Sequence, residues 1–162
     1  MSFPLIPQLM FTSLTELTPE ILKKHEIGLL MLDFDNTIVP YTTDVPTAEM
    51  EQWLEEMNHS GIQICIVSNS KRDRVPRFCA QRGLDCITHA QKPLSKGIKQ
   101  CLNRYGIPAS QAALVGDQIY TDTLGANGAG ILPILVKAID NHNFWLKARH
   151  VLEVPFIAMA KK

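Results

Sequence analysis

The chain has 162 residues, 46% of them hydrophobic and 20% charged, at a mean hydropathy of +0.01. That length and composition describe one globular domain able to bury its core without disulfide or metal staples, and exclude a disordered tract. Sixteen basic and sixteen acidic residues cancel, which argues against nucleic-acid binding through bulk positive charge. No run of roughly 18 apolar residues offers a membrane span.

The opening segment, residues 1–11, is apolar but carries Pro4 and Pro7 and no basic residue, which reads against a signal peptide. Next comes a fully apolar run, residues 28–32, that meets acid at Asp33. Thr47 can cap a helix whose apolar positions Met50, Trp53, Leu54 and Met57 follow a helical period, and Gly61 can end it. A second apolar run, residues 62–67, stops at Ser68, and an arginine-rich helix is expected over about residues 73–82. A short strand near 86–88, a helix over about 94–105 closed by Gly106, a strand at 113–115 ending at Asp117, a helix from Thr121 to about 127 and a fifth strand at 131–136 complete the pattern.

Apolar runs without alternation, separated by helices, are the mark of a parallel sheet covered on both faces. The expected fold is α/β: a doubly wound three-layer α/β/α sandwich on a parallel five-stranded sheet, with right-handed crossovers. One domain is expected over residues 1–162. Its core spans about 26–140, with an apolar N-terminal and an aromatic, basic C-terminal extension. Cys65, Cys79, Cys86 and Cys101 show no CxxC spacing and read as free thiols in a reducing cytoplasm.

In such sheets the ligand lies beyond the carboxyl ends of the strands. The residues placed there are DFDNT (33–37), SNS (68–70) and GDQIYTD (116–122), with Lys92 ahead of the helix expected from about residue 94. Two like charges about 4 Å apart repel by roughly 4 kcal/mol at a protein-like dielectric, so converging carboxylates call for a hard divalent cation. Ser68 at a helix start, the amides of Asn69 and Ser70, and the Lys92 ammonium would add a cradle for a phosphoryl group. A carboxylate beside that phosphorus can attack it, and a second aspartate two residues on can handle the proton.

DFDNT, Ser68, Lys92 and GDQIYTD, in that order, resemble the four motifs of the haloacid dehalogenase (HAD) superfamily of phosphatases. The resemblance implies a HAD-like Rossmannoid phosphomonoesterase with Asp33 as nucleophile and Asp35 as general acid and base. It implies Mg²⁺ held by Asp33, the backbone carbonyl of Asp35 and Asp117, with Asp122 supporting the metal shell, and Ser68, Asn69 and Lys92 binding phosphate. SNS, KPLSKG around Lys92 and GDQIYTDTLGAN are further similar to the YqeG group of subclass IIIA, related to phosphatidylglycerophosphate phosphatases. That kinship makes a phosphorylated lipid the favoured substrate. A small soluble ester such as a sugar phosphate or nucleotide, hydrolysed by a capless oligomer, is the alternative. A non-catalytic binding module that keeps the metal pocket is a third reading.

Other signals have plainer readings. GANGAG (125–130) follows a helix and precedes a strand, the reverse of a dinucleotide loop. Of the five histidines, none has a metal spacing and only His89 lies near Lys92 in sequence. Lys71, Arg72, Arg74, Arg77 and Arg82 read as a solvated helix face, with Lys71 or Arg72 able to meet an anionic headgroup. The intervals 35–68 and 68–92 are consumed by core elements and leave no room for a cap domain. Phe3, Leu5, Ile6, Leu9, Met10 and Phe11, with Phe144 and Trp145 beside Lys147, Arg149 and His150, suit a peripheral membrane contact on the cytoplasmic side.

Overall fold

The structure is a computed structural model that describes residues 5–139. All strands of its single sheet run parallel, in the order β1-β6-β5-β2-β3-β4. They are β1 (Leu9–Phe11), β2 (Leu29–Leu32), β3 (Gln63–Val67), β4 (Asp85–Ile87), β5 (Ala112–Gly116) and β6 (Leu132–Val136). The helices are α1 (Pro19–Lys24), α2 (Ala48–Asn58), α3 (Arg74–Ala80), α4 (Lys96–Tyr105) and α5 (Leu124–Ala129).

The central strand explains the architecture. All four residues of β2 are buried, and successive side chains enter opposite layers. Leu30 and Leu32 join the layer containing Trp53 and Met57 of α2 and Phe78 of α3, whereas Leu29 and Met31 join Ile98 and Cys101 of α4 and Ala126 of α5. Each Leu, Ile, Met or Phe among them contributes roughly 1.5–3 kcal/mol by leaving water. The Thr47 hydroxyl caps α2 by accepting the Met50 amide at 3.1 Å, and Trp53 Nε1 donates to the Leu17 carbonyl at 2.7 Å. Gly106, at φ 62°, closes α4 in the left-handed conformation.

Two expectations change. The sheet has six strands rather than five, because Leu9, Met10 and Phe11 pair with Ile134, Leu135 and Val136. Leu9 and Phe11 pack on the core layer of α2, so this part of the apolar N-terminal segment is an edge strand and does not form the membrane-facing extension. The helix expected from Thr121 to about 127 is instead preceded by one wide π turn, Ile119–Thr123, and α5 begins only at Leu124. The aromatic and basic C-terminal cluster, from Phe144 to Lys162, lies outside the described residues.

The order of the strands fixes where a ligand goes. The chain steps from β2 to β3 on one side and returns through β5 on the other, so strand order reverses between β2 and β5. No cap domain interrupts the core among the described residues: α2 fills the interval after Asp35, and α3 with β4 fills the interval after Ser68.

Candidate active site

Because every strand is parallel, all carboxyl ends meet at one edge. Asp33 follows β2 directly, and its amide donates to the Val115 carbonyl of β5 at 2.9 Å. Asp117 follows β5, and Ser68 follows β3. The wide turn after Gln118 carries Asp122 back toward β5, where its carboxylate accepts the Gln118 amide at 3.2 Å. Gly116 permits that approach: a Cβ there would lie 2.1 Å from Asp122 Oδ2. One carboxylate oxygen from each of Asp33, Asp117 and Asp122 lies within 4.8 Å of the others.

Lys92 faces this trio from the loop after β4. Its buried ammonium donates to Asp122 Oδ1 at 2.7 Å and Asp33 Oδ1 at 3.1 Å. Burial opposes the charged ammonium, but the two carboxylates outweigh it and hold Lys92 above its ordinary value. Asp122 is pushed up to about 6 by burial and by the Asp33 charge, with Lys92 pulling the other way. Asp117 is driven well above the usual carboxylate range by burial, then by Asp33 and Asp122. The Thr37 hydroxyl donates to Asp117 Oδ1 at 3.3 Å, and no cation among the described residues pairs with Asp117.

Three carboxylates against one ammonium leave an excess of negative charge in a site that is mostly out of water. Hard oxygen donors at this spacing fit a divalent metal, and Asp33, Asp117 and Asp122 are the residues able to hold one.

Asp35 stands apart from the trio. Its carboxylate makes a short ion pair with Arg74 Nη1 on the first turn of α3. Burial raises Asp35, the Arg74 charge lowers it and Asp33 raises it, leaving the net displacement upward. Arg74 is buried, which corrects the expectation of a solvated basic face. Arg82 is likewise engaged, by Glu51 and over the Phe78 ring at 3.7 Å. Lys71 and Arg72 are exposed and line the cleft.

The phosphate cradle also differs from expectation. Helix α3 begins at Arg74, so Ser68 heads a loop and not a helix. The Ser70 amide is already used, donating to Ser68 Oγ at 3.0 Å. Asn69 clamps the backbone of Lys92 from both sides: Nδ2 donates to the Lys92 carbonyl at 2.8 Å and Oδ1 accepts the Lys92 amide at 2.7 Å. This holds Lys92 in place, a role that no single-residue motif in the sequence signals. His89 is exposed and lies outside the residues lining the cleft. The cleft itself measures about 530 Å³ and brings together Asp33, Asp35, Ser68 and Lys92 beneath Tyr41 and Arg72.

Comparison with known proteins agrees with this geometry. Residues 14–130 match the family of haloacid dehalogenase-like hydrolases. Over 131 residues the chain is 33% identical to the Probable phosphatase YqeG of Bacillus subtilis (strain 168), covering 81% of this chain and 76% of that one. A hypothetical protein from Xanthomonas campestris superposes at a TM-score of 0.60 with 17% identity, over 86% of this chain and 79% of that one. The 3-deoxy-D-manno-octulosonate 8-phosphate phosphatase of Moraxella catarrhalis, solved with magnesium and phosphate ions, superposes at 0.51 with 17% identity, over 90% of this chain and 96% of that one. The chain belongs to the haloacid dehalogenase-like hydrolases and, within them, to the YqeG phosphatases.

Proposed function

We propose that the chain hydrolyses a phosphate monoester by two successive displacements at phosphorus, the first by Asp33, at a site where Asp33, Asp117 and the Asp35 carbonyl would hold Mg²⁺ with Asp122 in support. The observation carrying this reading is Asp33 at the floor of an open cleft, touching Lys92 and grouped with Asp117 and Asp122. When bound, Mg²⁺ supplies positive charge against the phosphoryl oxygens. In the first displacement an Asp33 oxygen bonds to phosphorus, the ester P–O bond breaks, and Asp35 gives its proton to the departing oxygen. In the second, water gives a proton to Asp35 and bonds to phosphorus, the P–O bond to Asp33 breaks, and inorganic phosphate leaves. Lys92 and Ser68 hold phosphoryl oxygens throughout, and Asn69 secures the Lys92 backbone.

The favoured substrate is a lipid phosphate of the phosphatidylglycerophosphate class. An uncapped cleft with Lys71 and Arg72 exposed on its wall supports a large anionic ester. This reading places the enzyme in the cytoplasm, meeting the inner membrane face through its substrate. No helix among the described residues is long and apolar enough to cross a membrane.

The test is a turnover screen over lipid phosphates, sugar phosphates and nucleotides, with Mg²⁺ or EDTA. Turnover of the lipid that needs Mg²⁺ and vanishes in Asp33→Asn is the expected result. Preference for a soluble ester by an oligomer would replace the lipid assignment, and equal phosphate release by wild type and Asp33→Asn would end the catalytic one.

A further inference from the structure

Arg74 has more partners than a helix-surface arginine needs. Its Nη1 donates to Asp35 Oδ1, its Nε to Asp44 Oδ1 at 2.6 Å and its Nη2 to the Thr43 carbonyl at 2.8 Å. The guanidinium lies 4.9 Å from the Phe34 ring centroid, and Phe34 in turn packs edge-on against Phe78 of α3 at 5.0 Å. All three nitrogens donate and the cation lies over the ring, so the group is held against turning. Phe34 lies between Asp33 and Asp35 in the chain, which ties this packing to both aspartates of the motif.

We propose that Arg74 is a positioning residue for Asp35: it fixes the carboxylate for proton transfer to the leaving oxygen and so sets how poor a leaving group the enzyme can expel. This rests on the reading of Asp35 as the general acid. Three features support it. Asp35 lines the cleft yet lies outside the carboxylate trio, so something other than that cluster must orient it. The bond to Arg74 takes Oδ1 and leaves Oδ2 outside it, so one oxygen is anchored while the other is not used by the anchor. As Asp35 passes its proton to the ester oxygen it becomes a carboxylate, and the guanidinium already beside it compensates the new charge without rearrangement. The anchors of Arg74, Asp44 and the Thr43 carbonyl, belong to the same loop as Tyr41, which also lines the cleft. Arg74 therefore joins the acid to a loop that lines the cleft.

The contrast between leaving groups separates positioning from simple scaffolding. A nitrophenolate departs without a proton, whereas an alkoxide does not. The comparison uses kcat/KM, which reports the first displacement, for glycerol phosphate and para-nitrophenyl phosphate. Arg74→Ala is expected to lose on the order of 10²-fold on the alkyl ester and far less on the aryl ester. Asp35→Asn should show the same split, and the double variant should be no worse than Asp35→Asn alone. Arg74→Lys should not restore the alkyl ester, since an ammonium cannot hold three partners in one plane. Asp44→Asn, at a half-exposed partner, keeps the test alive if Arg74→Ala does not fold, and should show the split in weaker form.

Equal losses on both esters in either variant, or losses that multiply in the double variant, overturn the proposal. Those outcomes are distinct from failure of the underlying reading, which would appear as undiminished turnover in Asp33→Asn or as no leaving-group preference in Asp35→Asn itself.

Discussion

Without a divalent cation, the fold should lose stability as pH rises through the acid range, and adding the cation should cancel that loss. Asp122 is the clearest contributor, because its carboxyl is moved from 3.8 to about 6. The folded acid keeps its proton to higher pH than the unfolded one, so the native state binds more protons between those values. Stability then falls with pH across that window. At about 1.4 kcal/mol per pH unit, moving the midpoint from 3.8 to about 6 is worth about 3 kcal/mol. Asp117 and Asp35 are displaced in the same direction and steepen the fall. A bound cation removes it by holding the carboxylates ionised in the native state. Urea unfolding at about pH 4.5 and about pH 7, in EDTA and in Mg²⁺, measures the effect. The EDTA protein should unfold at lower urea at the higher pH, Mg²⁺ should help far more there than at the lower, and Asp122→Asn should flatten part of the slope. An EDTA protein that grows more stable from the lower pH to the higher would refute the reasoning.

Gly116→Ala should cost activity more than stability: the new Cβ would lie 2.1 Å from Oδ2, 2.2 Å from Cγ and 2.6 Å from Cβ of Asp122, so the turn that carries Asp122 must shift and draw its carboxylate off Lys92. A misplacement of this size costs on the order of 10²-fold in kcat/KM, while the thermal melt should move by only about 1–3 kcal/mol in stability. Asn69→Ala removes both hydrogen bonds to the Lys92 backbone and should lower kcat/KM on every ester alike, which separates it in the same kinetic assay from the ester-selective Arg74 variants. Leu54→Ala, buried on α2 away from the cleft, should destabilise by about 2–5 kcal/mol in urea while the folded enzyme keeps its kcat.

Most of the sheet could be read from sequence because its central strands are fully buried. A run such as 29–32 has no polar face to blur it, and the polar residue that ends it marks the carboxyl edge. Asp33, Ser68 and Asp117 follow from that one rule, and Lys92 from the turn before α4. The rule fails where burial is partial. Leu9–Phe11 pairs on one side only, and its intermediate exposure makes three apolar residues look like a loose extension until β6 is seen beside them. Asn69 fails for another reason: its partner is a backbone distant in sequence, and neither residue type announces the bond.

The basic cluster after Ser68 shows most clearly where residue type stops being informative. Lys71, Arg72, Arg74, Arg77 and Arg82 look alike as a string of charges, yet they meet different surroundings. Arg82 stacks on Phe78 and pairs with Glu51, Arg77 faces Asp73 near the surface at 3.5 Å, and Lys71 and Arg72 face the cleft. Arg74 alone turns inward, because α3 starts at that residue and its first turn points at the Phe34 ring between the two motif aspartates. A shift of one residue in where α3 begins would turn Asp73 or Val75 toward Asp35 instead. The start of that helix therefore decides whether an arginine reaches the acid, and the pairing depends on helix phase more than on composition.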